Sequence, residues 1–260
     1  MNIAVTGTTG RMGMATIAEI IRRDSVSIAF TTSQKASSEL SHYSIPPGID
    51  VCNNANFTDR LSESNADVLI DFTTPESSLF FAESAAQLSI PIVIGTTGFT
   101  EEQFSKLDKL STSIPILFSA NFSRGISSIL LAIDAISGIL SKYDIEITET
   151  HHNMKIDSPS GTALSIFNHL DKKIQNLHPI YGRHGRHERG LKEVGIHSRR
   201  AGNTHGEHEI IFSGNDESII LTHRAENRGV YASGAVDSAI WISERSPGWY
   251  GFEDVLEVSI

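Results

Sequence analysis

Apolar residues recur along this chain in two rhythms. Over residues 1–122, short continuous apolar runs alternate with segments of helical period. Ile3-Ala4-Val5-Thr6, Val26–Phe30, Asp67–Thr73 around Val68-Leu69-Ile70, Ile90–Ile94 and Ile114–Phe118 each predict a strand, the unbroken ones of the buried parallel type. Met14, Ile17, Ile20 and Ile21 predict a helix after the first strand. Thr74-Pro75-Glu76 places Pro at a first helical position, and Thr100-Glu101-Glu102-Gln103 has the form of a capping box. Residues 36–60, rich in Ser, Asn and Pro, show no clear period and predict loops with one short strand near Val51. Four strand-then-helix units in succession predict a doubly wound parallel sheet with ligands at the strand C-termini.

From Ser123 the rhythm changes. Ile126, Ile129, Leu130, Ile133, Ile136 and Leu140 predict one long helix leading into a second domain. Ile145 and Ile147 alternate with Asp144, Glu146 and Thr148, predicting a strand that delivers the chain to His151. Gly195–Arg200, Glu207–Ser213 and Ser218–Ala225 predict further strands, the last two joined by a Gly214-Asn215-Asp216 turn, whereas residues 182–192 form a polar stretch without period. Ala232–Glu244 predicts a closing helix that packs back on the first domain. The expected fold is α/β: residues 1–122 and 232–260 form a doubly wound domain, and residues 123–231 an α+β domain with an open mixed sheet.

Composition narrows the function. The 260 residues carry a formal charge of −10 and no basic run longer than Arg199-Arg200, which excludes general affinity for nucleic acid or anionic membrane. No apolar stretch approaches the ~20 residues of a membrane span, and no signal-like segment precedes Ile3, so a cytoplasmic location is expected. The single cysteine, Cys52, allows no internal disulfide and sits among residues that do not suggest a nucleophile.

Two stretches carry candidate chemistry. Gly7-Thr8-Thr9-Gly10-Arg11-Met12-Gly13 lies between the first strand and first helix, as in a dinucleotide fingerprint. Gly7 allows the tight turn, Gly10 the approach of a pyrophosphate, and Gly13 close packing of helix on strand. The second strand runs into Ser33-Gln34-Lys35, where no carboxylate awaits a ribose 2′-hydroxyl but three groups could donate to a 2′-phosphate, which tilts the expectation toward NADPH over NADH. Gly95-Thr96-Thr97-Gly98-Phe99 is a second glycine-rich loop, placed where the nicotinamide half would lie. The other stretch is Glu149–Ala163. His151 and Lys155 are side chains suited to delivering a proton near neutral pH, and Ser160 is a good N-cap for a helix whose amino end would attract an anion. Histidines 178, 184, 187, 197, 205 and 208 show no helical i, i+4 pair and no cysteine accompanies them, so no metal is expected.

These motifs together resemble the dihydrodipicolinate reductase (4-hydroxy-tetrahydrodipicolinate reductase) family nearly end to end. Its carriers are Gly7-x-x-Gly10-Arg11-Met12-Gly13, Asp71-Phe72-Thr73, Gly95–Phe99, Ala120-Asn121-Phe122-Ser123, His151-His152 through Lys155 to Pro159-Ser160-Gly161-Thr162-Ala163, Arg200-Ala201-Gly202, Gly206-Glu207-His208 and Gly234-Ala235. The resemblance implies a Rossmann-type doubly wound domain completed by the C-terminal helix, a mixed-sheet substrate and oligomerisation domain, and a homotetramer. It implies hydride transfer from NADH or NADPH to a small cyclic imine dicarboxylate with loss of water. It also implies site roles. Gly7, Thr8, Thr9, Gly10, Arg11 and Met12 would hold the pyrophosphate, while the residues at the end of the second strand place Ser33 and Gln34 at the ribose. Gly95, Thr96, Thr97, Ser119, Ala120, Asn121 and Phe122 would lie on the nicotinamide side. His151 would donate the proton, with Lys155 the second donor, His152 a substrate contact, and Gly161 and Thr162 the carboxylate cradle. The chain departs from the family in carrying Asn153-Met154 where members often have Arg-His, and in lacking an acidic residue near Ser33. Two other classes compete. A short-chain dehydrogenase would need Tyr-x-x-x-Lys, and no Tyr stands four residues before a Lys. A non-catalytic NAD(P)-sensing protein would keep the glycine turn without needing His151 and Lys155.

Overall fold

The first apolar run, Asn2–Thr6, is β1 of a computed structural model that describes residues 1–35, 37–43 and 45–257. The chain continues through α1 (Arg11–Ile21), β2 (Ser27–Ser33), β3 (Val51–Asn53), α2 (Phe57–Glu63), β4 (Val68–Asp71), α3 (Pro75–Gln87), β5 (Ile92–Ile94), α4 (Glu101–Ser111) and β6 (Pro115–Phe118). All of β4 and β5 is buried, as continuous apolar strands covered on both faces must be. Thr74 caps α3 with Pro75 at its start, and Thr100 and Gln103 close the capping box of α4. β2 runs three residues beyond the expected Phe30, because Thr31–Ser33 pair in parallel with β3. The seven-residue α2 falls in the stretch expected to be loops; it buries Phe57 and Leu61, one turn apart, in an apolar cluster with Phe30 and Phe81. That stretch also includes residues 36 and 44, outside the described residues.

A second compact unit spans Ser123–Asn227. It comprises α5 (Arg124–Ile136), β7 (Asp144–His151), α6 (Gly161–Ile174), β8 (His178–Tyr181), β9 (Glu193–Arg200), β10 (Glu207–Ser213) and β11 (Ser218–Arg224). α5 stops at Ile136, short of the expected Leu140. The Ser137 hydroxyl bonds back to Ile133 O at 2.5 Å and Gly138 follows, both unfavourable to a continuing helix. Leu140 nevertheless stays in the core with Ile133, Ile145, Ile147, Ile166 and Phe212. The sheet order is β11-β10-β7-β9-β8, antiparallel on one side of β7 and parallel on the other, so it is open and mixed as expected. Along β7 burial alternates strictly, with Ile145, Ile147, Glu149 and His151 on the buried face.

The chain then returns to the first unit, which comprises Met1–Phe122 and, among the described residues, 228–257. The returning helix begins at Gly229, not at Ala232, so the crossing point lies a few residues earlier than expected. The segment supplies α7 (Gly229–Ile242), β12 (Gly248–Tyr250) and α8 (Phe252–Val255). Gly234 lets α7 lie against the main chain, since a Cβ there would stand 2.0 Å from Phe122 O. β12 pairs with β6 and completes an all-parallel sheet ordered β12-β6-β5-β4-β1-β2-β3. The strand order reverses between β1 and β4, and the crevice beyond the carboxyl ends of two such strands is where folds of this kind take their ligands.

Candidate functional site

The carboxyl edge of the seven-stranded sheet is organised by a buried carboxylate. Asp71 ends β4 opposite Thr6, which ends β1. It accepts hydrogen bonds from the hydroxyls of Thr6 at 2.5 Å, Thr73 at 2.7 Å and Thr96 at 2.7 Å, and a further short one from Ser78 at the start of α3. The Thr73 amide donates in turn to the Thr96 hydroxyl at 2.8 Å. The ends of β1 and β4, the head of α3 and the loop after β5 are thereby tied to one residue. Beside this hub the glycine loop turns at Gly7, with φ of 75°, and a Cβ at Gly13 would stand 2.2 Å from Gly7 O. Gly13 thus makes room for the loop's own backbone, not for the strand. Gly10 is the N-cap of α1 and provides no side-chain cap at the positive end of the helix, where an anion is favoured. A helix start without a side-chain cap and a glycine turn fit a dinucleotide pyrophosphate.

The second unit holds a different cluster. On the buried face of β7 the apolar row Ile145, Ile147 continues into Glu149 and His151. Register places Ser198 and His208 opposite Glu149, and Arg200 opposite His151, so all five share one face of the sheet. Glu149 is fully buried and takes a bidentate pair from Arg200 at 2.8 and 2.9 Å, His151 Nδ1 at 2.5 Å and the Ser160 amide at 3.2 Å. Burial alone would raise its carboxyl, but the hydrogen bonds from His151, Arg200 and Ser198 outweigh it and hold Glu149 well below the ordinary carboxylate range. Ser160 caps α6, its hydroxyl accepting from the Ala163 amide at 3.2 Å. His208 packs edge-on against the His151 ring at 5.3 Å and reaches the Ser160 hydroxyl at 3.2 Å. Burial first, and the neighbouring His151 second, push His208 down to about 3, so it stands neutral at physiological pH. Lys155 pairs with Asp157 at 2.8 Å. Burial opposes ionisation of Asp157, but that hydrogen bond keeps its carboxyl below the usual value.

Comparison with known proteins agrees with this geometry. The models named dihydrodipicolinate reductase, N-terminus and C-terminus, match residues 1–122 and 125–256. The chain belongs to the dihydrodipicolinate reductase family. It is 43% identical to the 4-hydroxy-tetrahydrodipicolinate reductase of Natronomonas pharaonis, over 98% of this chain and all of that protein. The corresponding reductase of Haloarcula marismortui is 41% identical, with 98% of each chain covered. Among solved structures, the dipicolinate-bound dihydrodipicolinate reductase of Paenisporosarcina sp. TG-14 matches with a TM-score of 0.78 at 25% identity, over 98% of both chains. An amine dehydrogenase from Mycobacterium smegmatis, 10% identical with a TM-score of 0.64, shares the fold.

Within this reductase fold the expected site residues separate into those at the loop surfaces and those built into the structure. Thr9, Gly10, Arg11, Met12, Gly95, Thr97, Ala120 and Asn121 are exposed or half-buried in the loops that follow β1, β5 and β6 and at the head of α1. Thr8 is turned inward, its amide and hydroxyl both donating to Thr32 O at 2.9 and 2.7 Å. Thr96 belongs to the Asp71 hub, and the Phe122 ring is core, packed against Phe72 and Phe252. The Ser119 hydroxyl closes its own turn on Asn121 O at 2.7 Å. The side chains of these four are thus engaged within the protein itself. Ser33 is likewise buried and accepts from the Lys35 amide at 3.0 Å, leaving Gln34 and Lys35 as the exposed side chains at the end of β2. Lys35 faces Glu39 at 3.8 Å. His151, His152, Lys155, Gly161 and Thr162 all lie between the end of β7 and the first turn of α6. Sequence reasoning assigned no role to Glu149, Arg200 or His208. The available signal was a Glu and a His at core positions of an alternating strand. Among the described residues no group of three or more His, Cys, Asp or Glu is arranged to hold a metal ion.

Proposed function

We propose that this protein is an NAD(P)H-dependent oxidoreductase that reduces 4-hydroxy-tetrahydrodipicolinate to tetrahydrodipicolinate in lysine and diaminopimelate synthesis. Hydride and a proton are added and water is lost. The observation that carries this reading is the buried Glu149–His151 pair beside the capped amino end of α6, in a chain of this family. A reduced nicotinamide, when bound, supplies the hydride. Gly7–Met12 and the first turn of α1 hold its pyrophosphate, while Gly95, Thr97, Ala120 and Asn121 shape the nicotinamide side. His151 delivers the proton to the electron-rich product of hydride addition, a step in which a positioned acid is worth about 10²–10⁴-fold. Gly161 and Thr162, at the positive end of α6, take one carboxylate of the substrate. Lys155 balances the substrate's negative charge once its exposed partner Asp157 yields, and His152 contacts the same ligand. Gln34 and Lys35 favour NADPH over NADH. A homotetramer in the cytoplasm completes the proposal, supported by the family resemblance and by a single cysteine in the chain.

The direct test follows the absorbance of reduced nicotinamide after adding substrate freshly made by dihydrodipicolinate synthase. Substrate-dependent oxidation supports the reading. Folded protein that binds NADPH but leaves the absorbance unchanged would overturn it.

A further inference from the structure

We propose that Glu149 is the positioning residue of this reaction, a single buried carboxylate that holds the proton donor and the anion-gripping end of α6 as one rigid unit. This rests on the reading of His151 as the acid. The two oxygens divide the work. Oε2 meets His151 Nδ1 at 2.5 Å and Arg200 Nη1 at 2.9 Å. Oε1 meets Arg200 Nη2 at 2.8 Å and the Ser160 amide at 3.2 Å. A carboxylate cannot donate, so the proton of this bond belongs to His151 Nδ1, and Nε2 is the atom left to exchange a proton with substrate. The Ser160 residue held on the other oxygen is the N-cap that orders the head of α6 through the Ala163 amide. Any displacement of the carboxylate therefore moves the acid and the carboxylate cradle together.

The surroundings fit that role. Arg200 also donates to Asp157 O at 2.6 Å, which ties the loop between β7 and α6 to the same carboxylate. His208 bridges the two halves, with Nε2 on the Ser160 hydroxyl at 3.2 Å and its ring against His151. A bidentate guanidinium fixes the carboxylate plane more firmly than a lysine could.

Two measurements decide the matter. Glu149→Gln keeps the side-chain shape but gives one position an N–H donor, which sets His151 in the wrong tautomer. The variant is expected to lose roughly 10²-fold or more in kcat and, by loosening Ser160, about tenfold in affinity for dipicolinate. Its affinity for NADH, bound by the other unit, should stay within about twofold. Retained kcat and dipicolinate affinity would overturn the proposal. The second measurement uses the wild type, so it holds whether or not the variant folds. The ¹⁵N spectrum of histidine-labelled protein should show the neutral His151 ring protonated at Nδ1, and a ring protonated at Nε2 instead would also overturn it. If the wild type binds NADPH and leaves the substrate unreduced, the parent reading falls and this one with it. If the wild type turns over and Glu149→Gln does so equally well, only the present inference falls.

Discussion

Each unit of this protein fully buries a strand carboxylate, Asp71 in one and Glu149 in the other, and the two are satisfied in opposite ways. Among the described residues Asp71 has no cation as a hydrogen-bond partner and collects the hydroxyls of Thr6, Thr73, Ser78 and Thr96. Glu149 is met by a guanidinium, an imidazole and the amide of Ser160. A buried charge needs full hydrogen bonding in either case. Hydroxyls rotate to suit the acceptor and carry no charge, so Asp71 gathers loop ends into one fixed edge and leaves the chemistry to whatever binds there. Cations couple to the carboxylate electrostatically, so Glu149 controls the proton and orientation of its neighbour. Similar burial therefore makes a frame in one unit and an acid's partner in the other.

The comparison breaks if exchanging carboxylate for amide has the same effect in both places. Asp71→Asn presents N–H donors to hydroxyls that need an acceptor. It should cost about 1–3 kcal/mol and lower Tm by roughly 3–10 °C. NADH affinity should fall several-fold with dipicolinate affinity unchanged, the reverse of the pattern expected for Glu149→Gln. Calorimetric titration of both ligands against both variants reads this out, and equal losses of both ligands would show that the two carboxylates do the same job.

A second difference lies in acid. His208 is pushed down to about 3 from an ordinary 6.5, chiefly by burial. Between those values the unfolded chain binds the proton and the folded one refuses it. The stability contributed by neutral His208 is thus complete above pH 6.5 and is lost as pH falls toward 3. Glu149, depressed from 4.5, contributes above that value and adds to the loss only below it. Replacing His208 by Gln should therefore flatten the fall of Tm between pH 6.5 and 4.5, measured by thermal melts across that range. An unchanged slope would remove His208 as its source.

The smallest effect sharpens the cofactor edge. Lys35→Ala should weaken NADPH by a few-fold, in line with the loss of one exposed ion pair of about 0.2–1 kcal/mol, and leave NADH unchanged. Equal effects on both cofactors would show that the end of β2 does not read the phosphate.

Much of this arrangement is legible in the sequence. Thr74-Pro75 and Thr100–Gln103 announced α3 and α4 because capping is local chemistry, and the alternation around Ile145 and Ile147 announced β7. Several short elements are not legible, among them α2, β8, β12 and the four-residue α8. α2 has seven residues, β8 four and β12 three, too few to show a period, and β12 is defined mainly by its pairing with β6. The candidate catalytic stretch is visible as His151, Lys155 and the Ser160 cap, all within ten residues. Its partners are not, since Arg200 reaches Glu149 across a sequence separation of 51, and only the register of β9 and β10 on β7 brings Arg200 and His208 to that face. The outline of the glycine loop is legible in its spacing. The inward turn of Thr8 and the core placement of Phe122 depend on what lies across the sheet, which local pattern does not record.

The most direct test of His151 as the acid is the rate of NADPH oxidation after rapid mixing of cofactor-loaded His151→Gln protein with freshly generated substrate, set beside its dipicolinate affinity. A rate reduced by roughly 10²–10³-fold with dipicolinate bound within a few-fold of wild type is the predicted result, because a proton donor acts in the transition state and not in binding. A rate equal to that of the wild type would take the proton transfer away from the β7 cluster.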